Sequence, residues 1–262
     1  MAGSVNVPCL THGGGSMVIE IAGVPAEVVC KHPRAEAFFR GYETDRPPLF
    51  RIEPSEADLE QAQAGFDAAA QAEGRQSFRH PPYSLEVHAI HTRLAERLVF
   101  HNVLLMHGSA LCIDGQAIIF TAPSGTGKST HARMWREAFG DRVWMINDDK
   151  PMLRIEAGLV MVYGTPWNGK HHLGCNASAP LKTIVQLDRG TENRIVPMGK
   201  AEAFPVLRRQ TFGSKDPAVA ARILGLQAEL LNAVDFYHLW CDQTLDAARV
   251  AYKGVMNETI QR

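Results

Sequence analysis

The sequence predicts an α/β fold, a phosphate-loop (P-loop) core preceded by a small α+β appendage. Three observations lead there. An apolar run, Gln116–Ala122, feeds a glycine-rich loop, then an amphipathic stretch, Ser129–Phe139, then a second short apolar run, Arg142–Asn147. Strand, loop, helix and strand in that order make an α/β unit. A chain of 262 residues has room for one large domain or a domain with an appendage. Its character also changes after Pro81–Pro82, which divides it into an appendage over 1–82 and a core over 83–262.

Taken in order, "HGGGS" at His12–Ser16 reads as a flexible linker. Met17–Val29 is rich in β-branched residues around a Gly23–Val24–Pro25 turn and reads as a hairpin. Leu49–Glu53 alternates like a strand. Glu56 to Ala72 reads as a helix with Ser55 as N-cap and Glu56 and Asp58 in its first turn. After Pro82, Leu85, Ala89, Leu94 and Leu98 recur at helical spacing. The run "LLMHGSALCIDGQAIIFTA" reads as two strands around Asp114–Gly115, a strong hairpin signal. The helix after the glycine loop stops at Gly140. Met152–Ile155 and Leu159–Val162 form another hairpin around Glu156–Gly158, and Leu181–Leu187 is a strand. Asp216–Val234 is a long helix, "FYHLWC" a strand and Leu245–Met256 a closing helix.

Composition bounds the function. The formal net charge is −1, which argues against broad attraction to nucleic acid or anionic membrane. No apolar stretch approaches the ~20 residues needed to span a bilayer, and the first residues lack the pattern of a secretory signal. A cytoplasmic protein is the expectation. Cys9, Cys30, Cys112, Cys175 and Cys241 are scattered without a CxxC, which fits reduced thiols better than zinc or disulfides.

Ala122–Ser129, "APSGTGKS", fits the phosphate-loop pattern except that Ala122 stands where glycine is usual. Gly125 and Gly127 permit backbone angles at which successive N–H groups form an anion-binding nest. The following helix adds the positive end of its dipole. Ser124, Gly125, Thr126, Gly127, Lys128, Ser129 and Thr130 are therefore the candidate nucleotide-binding residues. Lys128 would reach the β- and γ-phosphates, and the Ser129 hydroxyl would ligate Mg²⁺. Asp148 and Asp149 close the next strand. Two adjacent carboxylates in a confined site call for a cation, and a plausible split sends one to the metal and one to an acceptor hydroxyl as base.

The order "MHGSAL", hairpin, phosphate loop, helix, strand, Asp-Asp resembles HPr kinase/phosphorylase and the nucleotide-binding part of ATP-dependent phosphoenolpyruvate carboxykinase. It also resembles the HPr-kinase-like enzymes found beside peptide-modification genes. The resemblance spans about Leu104 to Leu187 and implies an HPr kinase/phosphoenolpyruvate carboxykinase-like P-loop core. It implies that His107, of the His107–Gly108 pair, sits near the phosphates on the strand before the hairpin. It further implies that one aspartate is base and the other a metal ligand, without fixing the order; Ser129 and Asp149 are the metal candidates. The signature segment of HPr kinases is missing. "GTPWNGKHHLGCN" stands in its place, which argues against HPr as acceptor and against the reverse reaction. No basic residues that would clamp a small dicarboxylate are evident.

In that loop Lys170 is a candidate to offset charge on a transferring phosphoryl group, His171 or His172 to orient an acceptor, and Trp167 to stack on a ring. Gly164, Gly169 and Gly174 would let the loop move as a lid. Lys182, Arg189, Arg194, Arg208 and Arg209 read as surface charges, with the alternative that an arginine among them binds the γ-phosphate or the acceptor. In the pair Arg208–Arg209, Arg208 is a candidate acceptor contact. The expectation is an ATP- and Mg²⁺-dependent kinase acting on a hydroxyl of a peptide, protein or small molecule. A nucleotide sensor without turnover and a carboxykinase-type lyase are the alternatives. Oligomeric state is left open, although the relatives form rings.

Overall fold

A computed structural model describes residues 15–169 and 171–256. The chain forms two compact units, one running to Ile19 and again over Pro25–Arg93, the other comprising Glu20–Val24 and the chain from Leu94 onward.

In the first unit, β1 (Gly15–Ile21), β2 (Val24–Cys30) and β3 (Phe50–Ile52) form a sheet in that order. The hairpin turn falls on Ala22 and Gly23, both at positive φ, one residue earlier than the Pro25 signal suggested. Gly15 opens β1 and is not linker; the preceding part of the glycine tract lies outside the described residues. Between the strands stands α1 (Pro33–Phe38), a single turn-and-a-half too short for periodicity to show. The helix α2 (Glu56–Ala72) starts on a capping box: Ser55 Oγ accepts from Asp58 N–H, and the Asp58 carboxylate accepts from Ser55 N–H at 2.8 Å. Such a cap contributes about 1 kcal/mol. Helix α3 (Pro82–Leu98) follows.

The second unit is built on a nine-stranded mixed sheet among the described residues. Its strands are β4 (Val103–Leu105), β5 (Ser109–Ile113), β6 (Gln116–Thr121), β7 (Val143–Asn147), β8 (Met152–Glu156), β9 (Leu159–Tyr163), β10 (Ser178–Arg189), β11 (Arg194–Pro197) and β12 (Asp235–Cys241). The order is β4-β8-β9-β10-β6-β5-β7, with β12 also paired to β10 and β11 beyond it. Both hairpins turn on a non-glycine residue followed by glycine, Asp114–Gly115 and Ala157–Gly158, all at positive φ, as two-residue turns of the primed type require. β10 joins the two halves of the sheet. Residues 178–180 run antiparallel to β9, and from Leu181 onward the strand runs parallel to β6, with an irregularity between Leu181 and Thr183.

Alternate residues of β5 and β6 enter two different cores, so these strands are apolar throughout rather than alternating. Leu111, Ile113, Ile118 and Phe120 pack with Trp135 of α4 (Lys128–Phe139) and with Ala247, Ala248 and Ala251 of α7 (Leu245–Val255). Ala110, Cys112, Ala117 and Ile119 pack with Leu207 of α5 (Lys200–Gln210) and with Ile223, Leu226 and Leu230 of α6 (Pro217–Ala233). Asp216 caps α6 by accepting from Ala218 and Val219 N–H. Among the described residues no helix is long and apolar enough to cross a membrane.

Three elements depart from expectation. The run from Leu104 to Ile113 is two strands: β4 pairs with β8, whereas β5 pairs with β6 and β7. His107 therefore lies in the break between them rather than on a strand. The helix α5 carries Pro205 in its interior and a weak apolar pattern, and the four-residue β11 is too short for alternation to register.

Candidate active site

The sheet topology gathers the chemistry at one edge. β5 lies between β6 and β7 and runs antiparallel to both. The C-terminal ends of β6 and β7 therefore flank the start of β5: Ser109 pairs with Phe120 on one side, and Ala110 with Asn147 on the other. Three segments converge there: the glycine loop after Thr121, His107–Gly108 before Ser109, and Asp148–Asp149 after Asn147.

Short hydrogen bonds fix the three together. Thr121 Oγ1 donates to the His107 carbonyl at 3.0 Å, and Gly108 N–H donates to the Asp149 carbonyl at 3.0 Å. Gly108 is there for space: a Cβ would lie 2.8 Å from Ile119 Cγ2 and 3.0 Å from the Phe120 carbonyl oxygen.

Within the loop, Gly125 and Gly127 have φ of +78° and +124°, angles that side-chain-bearing residues rarely adopt. Lys128 is folded back under the loop, its Nζ donating to the Ala122 carbonyl at 2.9 Å and the Pro123 carbonyl at 3.4 Å. From the end of β10, Arg189 donates to the Gly125 carbonyl at 2.8 Å and the Thr126 carbonyl at 3.3 Å. Thr126 N–H donates to the Pro123 carbonyl at 3.3 Å. Ser124 and Ser129 are exposed, and Thr130 is half-buried.

The aspartates differ in setting. Asp148 is buried at 5% exposure. Its Oδ1 accepts from Gly169 N–H at 2.5 Å, and its Oδ2 is buried with no hydrogen-bond partner among the described residues. Asp149 is more open, with Oδ1 3.4 Å from His107 Nε2 and 3.5 Å from Lys150 Nζ. Asn147, fully buried, holds the turn that presents them. Its Oδ1 accepts from Asp149 N–H at 2.9 Å and Lys150 N–H at 2.6 Å, and its Nδ2 donates to the Thr165 carbonyl and hydroxyl, each at 3.1 Å.

The groups feel one another's charge. Burial lowers the pKa of Lys128; the negative charge of Asp149 opposes that shift, and the positive charge of Lys150 adds to it. His107 is pushed down to about 4, first by burial and then by Lys150 and Lys128, against the opposing pull of Asp149 and of the Gln210 side chain. At neutral pH the imidazole is uncharged. Lys128 and Asp149, separated by a helix and a strand in the chain, thus share one electrostatic site.

A magnesium ion fits this donor set. A buried carboxylate oxygen without a partner is costly unless a cation or donated proton reaches it, and Asp148 Oδ2 is such an atom. Hard oxygen donors are what Mg²⁺ takes, and the carboxylates of Asp148 and Asp149 are of that kind, although among the described residues no group of three or more His, Cys, Asp or Glu is gathered for a metal ion.

The loop after β9 is closed at its base, where Gly164 N–H donates to the Ala177 carbonyl at 2.9 Å. Its glycines serve close approach rather than hinge freedom. None of Gly164, Gly169 or Gly174 has a positive φ, and an added Cβ would lie 1.8 Å from the Cys175 carbonyl oxygen, 2.9 Å from Asp148 Oδ2 and 1.9 Å from Asn168 Oδ1 respectively. Trp167 is half-buried, and its carbonyl accepts from Asn147 at 3.4 Å. His171 and His172 are exposed, and His172 N–H donates to the Gly169 carbonyl at 3.1 Å. Lys170 lies outside the described residues. Arg208 is exposed on α5 and makes no hydrogen bond or ion pair among the described residues; two residues on, the buried Gln210 accepts from His107 N–H through its backbone carbonyl at 2.7 Å.

Sequence reasoning missed Asn147, Lys150, Gln210 and the role of Arg189. "NDDK" did hold a signal for the first, because an asparagine side chain readily accepts from backbone N–H groups two residues on. Arg189 had none, since more than sixty residues separate it from the loop.

No protein-family model matches the chain, and no curated protein matches it. Among solved structures it is similar to the Hpr(Ser) kinase/phosphatase from Coxiella burnetii, with a TM-score of 0.35 at 10% identity over 58% of this chain and 90% of that one. The relationship is a distant structural one.

Proposed function

We propose that the protein is a kinase that moves the γ-phosphoryl group of ATP to a hydroxyl acceptor, a Ser/Thr-type hydroxyl of a peptide or protein or that of a small molecule. One observation carries the reading: the glycine loop with Lys128 and the Asp148–Asp149 turn stand at one sheet edge within each other's field. The loop amides hold the β- and γ-phosphates. Lys128 exchanges its two loop carbonyls for phosphate oxygens. Ser129 and one aspartate of the Asp148–Asp149 pair would hold Mg²⁺, which when bound would supply positive charge against the phosphates. The other aspartate takes the acceptor's proton as the acceptor oxygen bonds to the γ-phosphorus and the bond to the β–γ bridging oxygen breaks, releasing ADP. Neutral His107 offers a hydrogen bond beside the transferring group without drawing a proton from solvent.

The test is a screen of hydroxyl acceptors that reads ADP release, with the Lys128→Ala variant as blank. Release that depends on one acceptor class and vanishes in the variant is the expected result. Saturable ATP binding with no acceptor-dependent release would instead make the protein a sensor, and no ATP binding at all would end the reading.

A further inference from the structure

The glycine loop has two flanks, and the aspartates use only one. β6 has β5 on one side and β10 on the other. His107, Asp148 and Asp149 stand on the β5 side. On the β10 side lies an open depression of about 560 Å³, lined by Ser124, Gly125, Thr126, Asp188, Arg189 and Trp240. Its walls are held in place from several directions. Arg189 is tied to the loop carbonyls. Asp188 Oδ2 is 2.7 Å from His238 Nε2. The Trp240 indole stacks on the His238 ring at 3.7 Å, and the Arg194 guanidinium lies 4.4 Å from its centroid. Gly190 leaves room for it, since a Cβ there would sit 3.0 Å from Trp240 Cβ.

We propose that this depression receives the nucleoside of the triphosphate donor, an inference that rests on the kinase reading above. Direction decides it. The γ-phosphate has to face the carboxylates on the β5 side. A triphosphate lying across the loop amides then points its other end over β10 and β12. That end meets the chemistry a nucleoside needs: an aromatic wall and a guanidinium for the base, and the Asp188 carboxylate to accept from ribose hydroxyls. The volume falls within the few hundred to a thousand Å³ usual for small-molecule sites. A hydroxyl acceptor bound here would lie on the wrong side of the loop from both aspartates.

The experiment compares two ligands that differ only by the nucleoside. Calorimetry with Mg²⁺ present measures binding of ATP and of inorganic tripolyphosphate to the full chain and to its Lys128→Ala, Trp240→Ala and Asp188→Asn variants. The expected pattern is roughly tenfold or greater weakening of ATP in Trp240→Ala, a scale typical of one lost base–aromatic contact. A smaller loss is expected in Asp188→Asn. Tripolyphosphate should stay within about twofold in both, and Lys128→Ala should weaken both ligands. Asp188 is 43% exposed on its side chain, so its variant carries the test if Trp240→Ala fails to fold. Unchanged ATP affinity in both flank variants, alongside loss in Lys128→Ala, would overturn the nucleoside site and leave the kinase reading standing. Equal weakening of ATP and tripolyphosphate in the flank variants would also overturn it, since the flank would then act only through the loop. If the native chain binds neither ligand, the kinase reading falls and takes this inference with it.

Discussion

At the scale of single residues, the site depends on side chains that never touch a substrate. Asn147 is fully buried and joins the aspartate turn to the loop at Thr165. Asn147→Ala removes all five of its side-chain hydrogen bonds and strands their partners, so it should cost roughly 1–3 kcal/mol of stability by urea titration. It should also lower turnover more than its stability loss explains; normal kinetics in a folded variant would show that the turn holds itself. Lys150 allows a cleaner test, because its charge lowers the His107 pKa. Lys150→Gln should move the imidazole pKa upward from about 4, and Asp149→Asn should move it further down, both read from NMR titration of the ring protons. Shifts in the opposite directions would mean these groups do not face one another. "NDDK" made the carboxylates legible in the sequence, together with the glycines that precede Lys128. It did not reveal that Asp148 is sealed and Asp149 open, because burial is decided by Gly169, which arrives from twenty-one residues away.

At the scale of elements, turn chemistry was readable and pairing was not. Asp114–Gly115 announces its hairpin because only a few residue types tolerate consecutive positive φ angles. By contrast, nothing local distinguishes one long strand from two short ones that change partners at Met106–Gly108. The change matters, since it frees His107 to sit between the glycine loop and the aspartates. The glycines after β9 show the same limit. Their spacing suggests mobility, whereas the structure uses them for contact. Gly164→Ala would place a methyl 1.8 Å from the Cys175 carbonyl oxygen and 2.7 Å from that of Ile146, both backbone atoms. Overpacking of this kind costs about 1–3 kcal/mol, so its urea midpoint should fall clearly. Gly169→Ala meets the Asp148 carboxylate instead, and it should depress turnover at least ~10-fold with a smaller loss of stability. Tolerance of both substitutions would restore the hinge interpretation.

For the molecule as a whole, pH should set stability through a group outside the site. His131 on α4 is 1% exposed, packed edge-on against Phe120, and its Nε2 accepts the Trp135 indole N–H at 3.0 Å. A nitrogen that accepts cannot carry a proton, and burial accordingly pushes the pKa of this histidine down to about 4. In the unfolded chain it returns to about 6.5. Between those values the unfolded state binds the extra proton, so stability rises with pH across that window. The contribution of His131, a few kcal/mol on the order-of-magnitude scale of ~1.4 kcal/mol per pKa unit, is fully present above pH ~6.5 and is lost as pH falls toward 4. His107 adds to the slope in the same direction, with a weaker effect because its ring is more open. Urea midpoints should therefore drop between pH 7 and pH 5 in the native chain. His131→Gln, which keeps an acceptor for Trp135 and does not titrate, should flatten that dependence even if it lowers stability at pH 7. A His131→Gln variant whose midpoint still falls as steeply would place the acid sensitivity elsewhere.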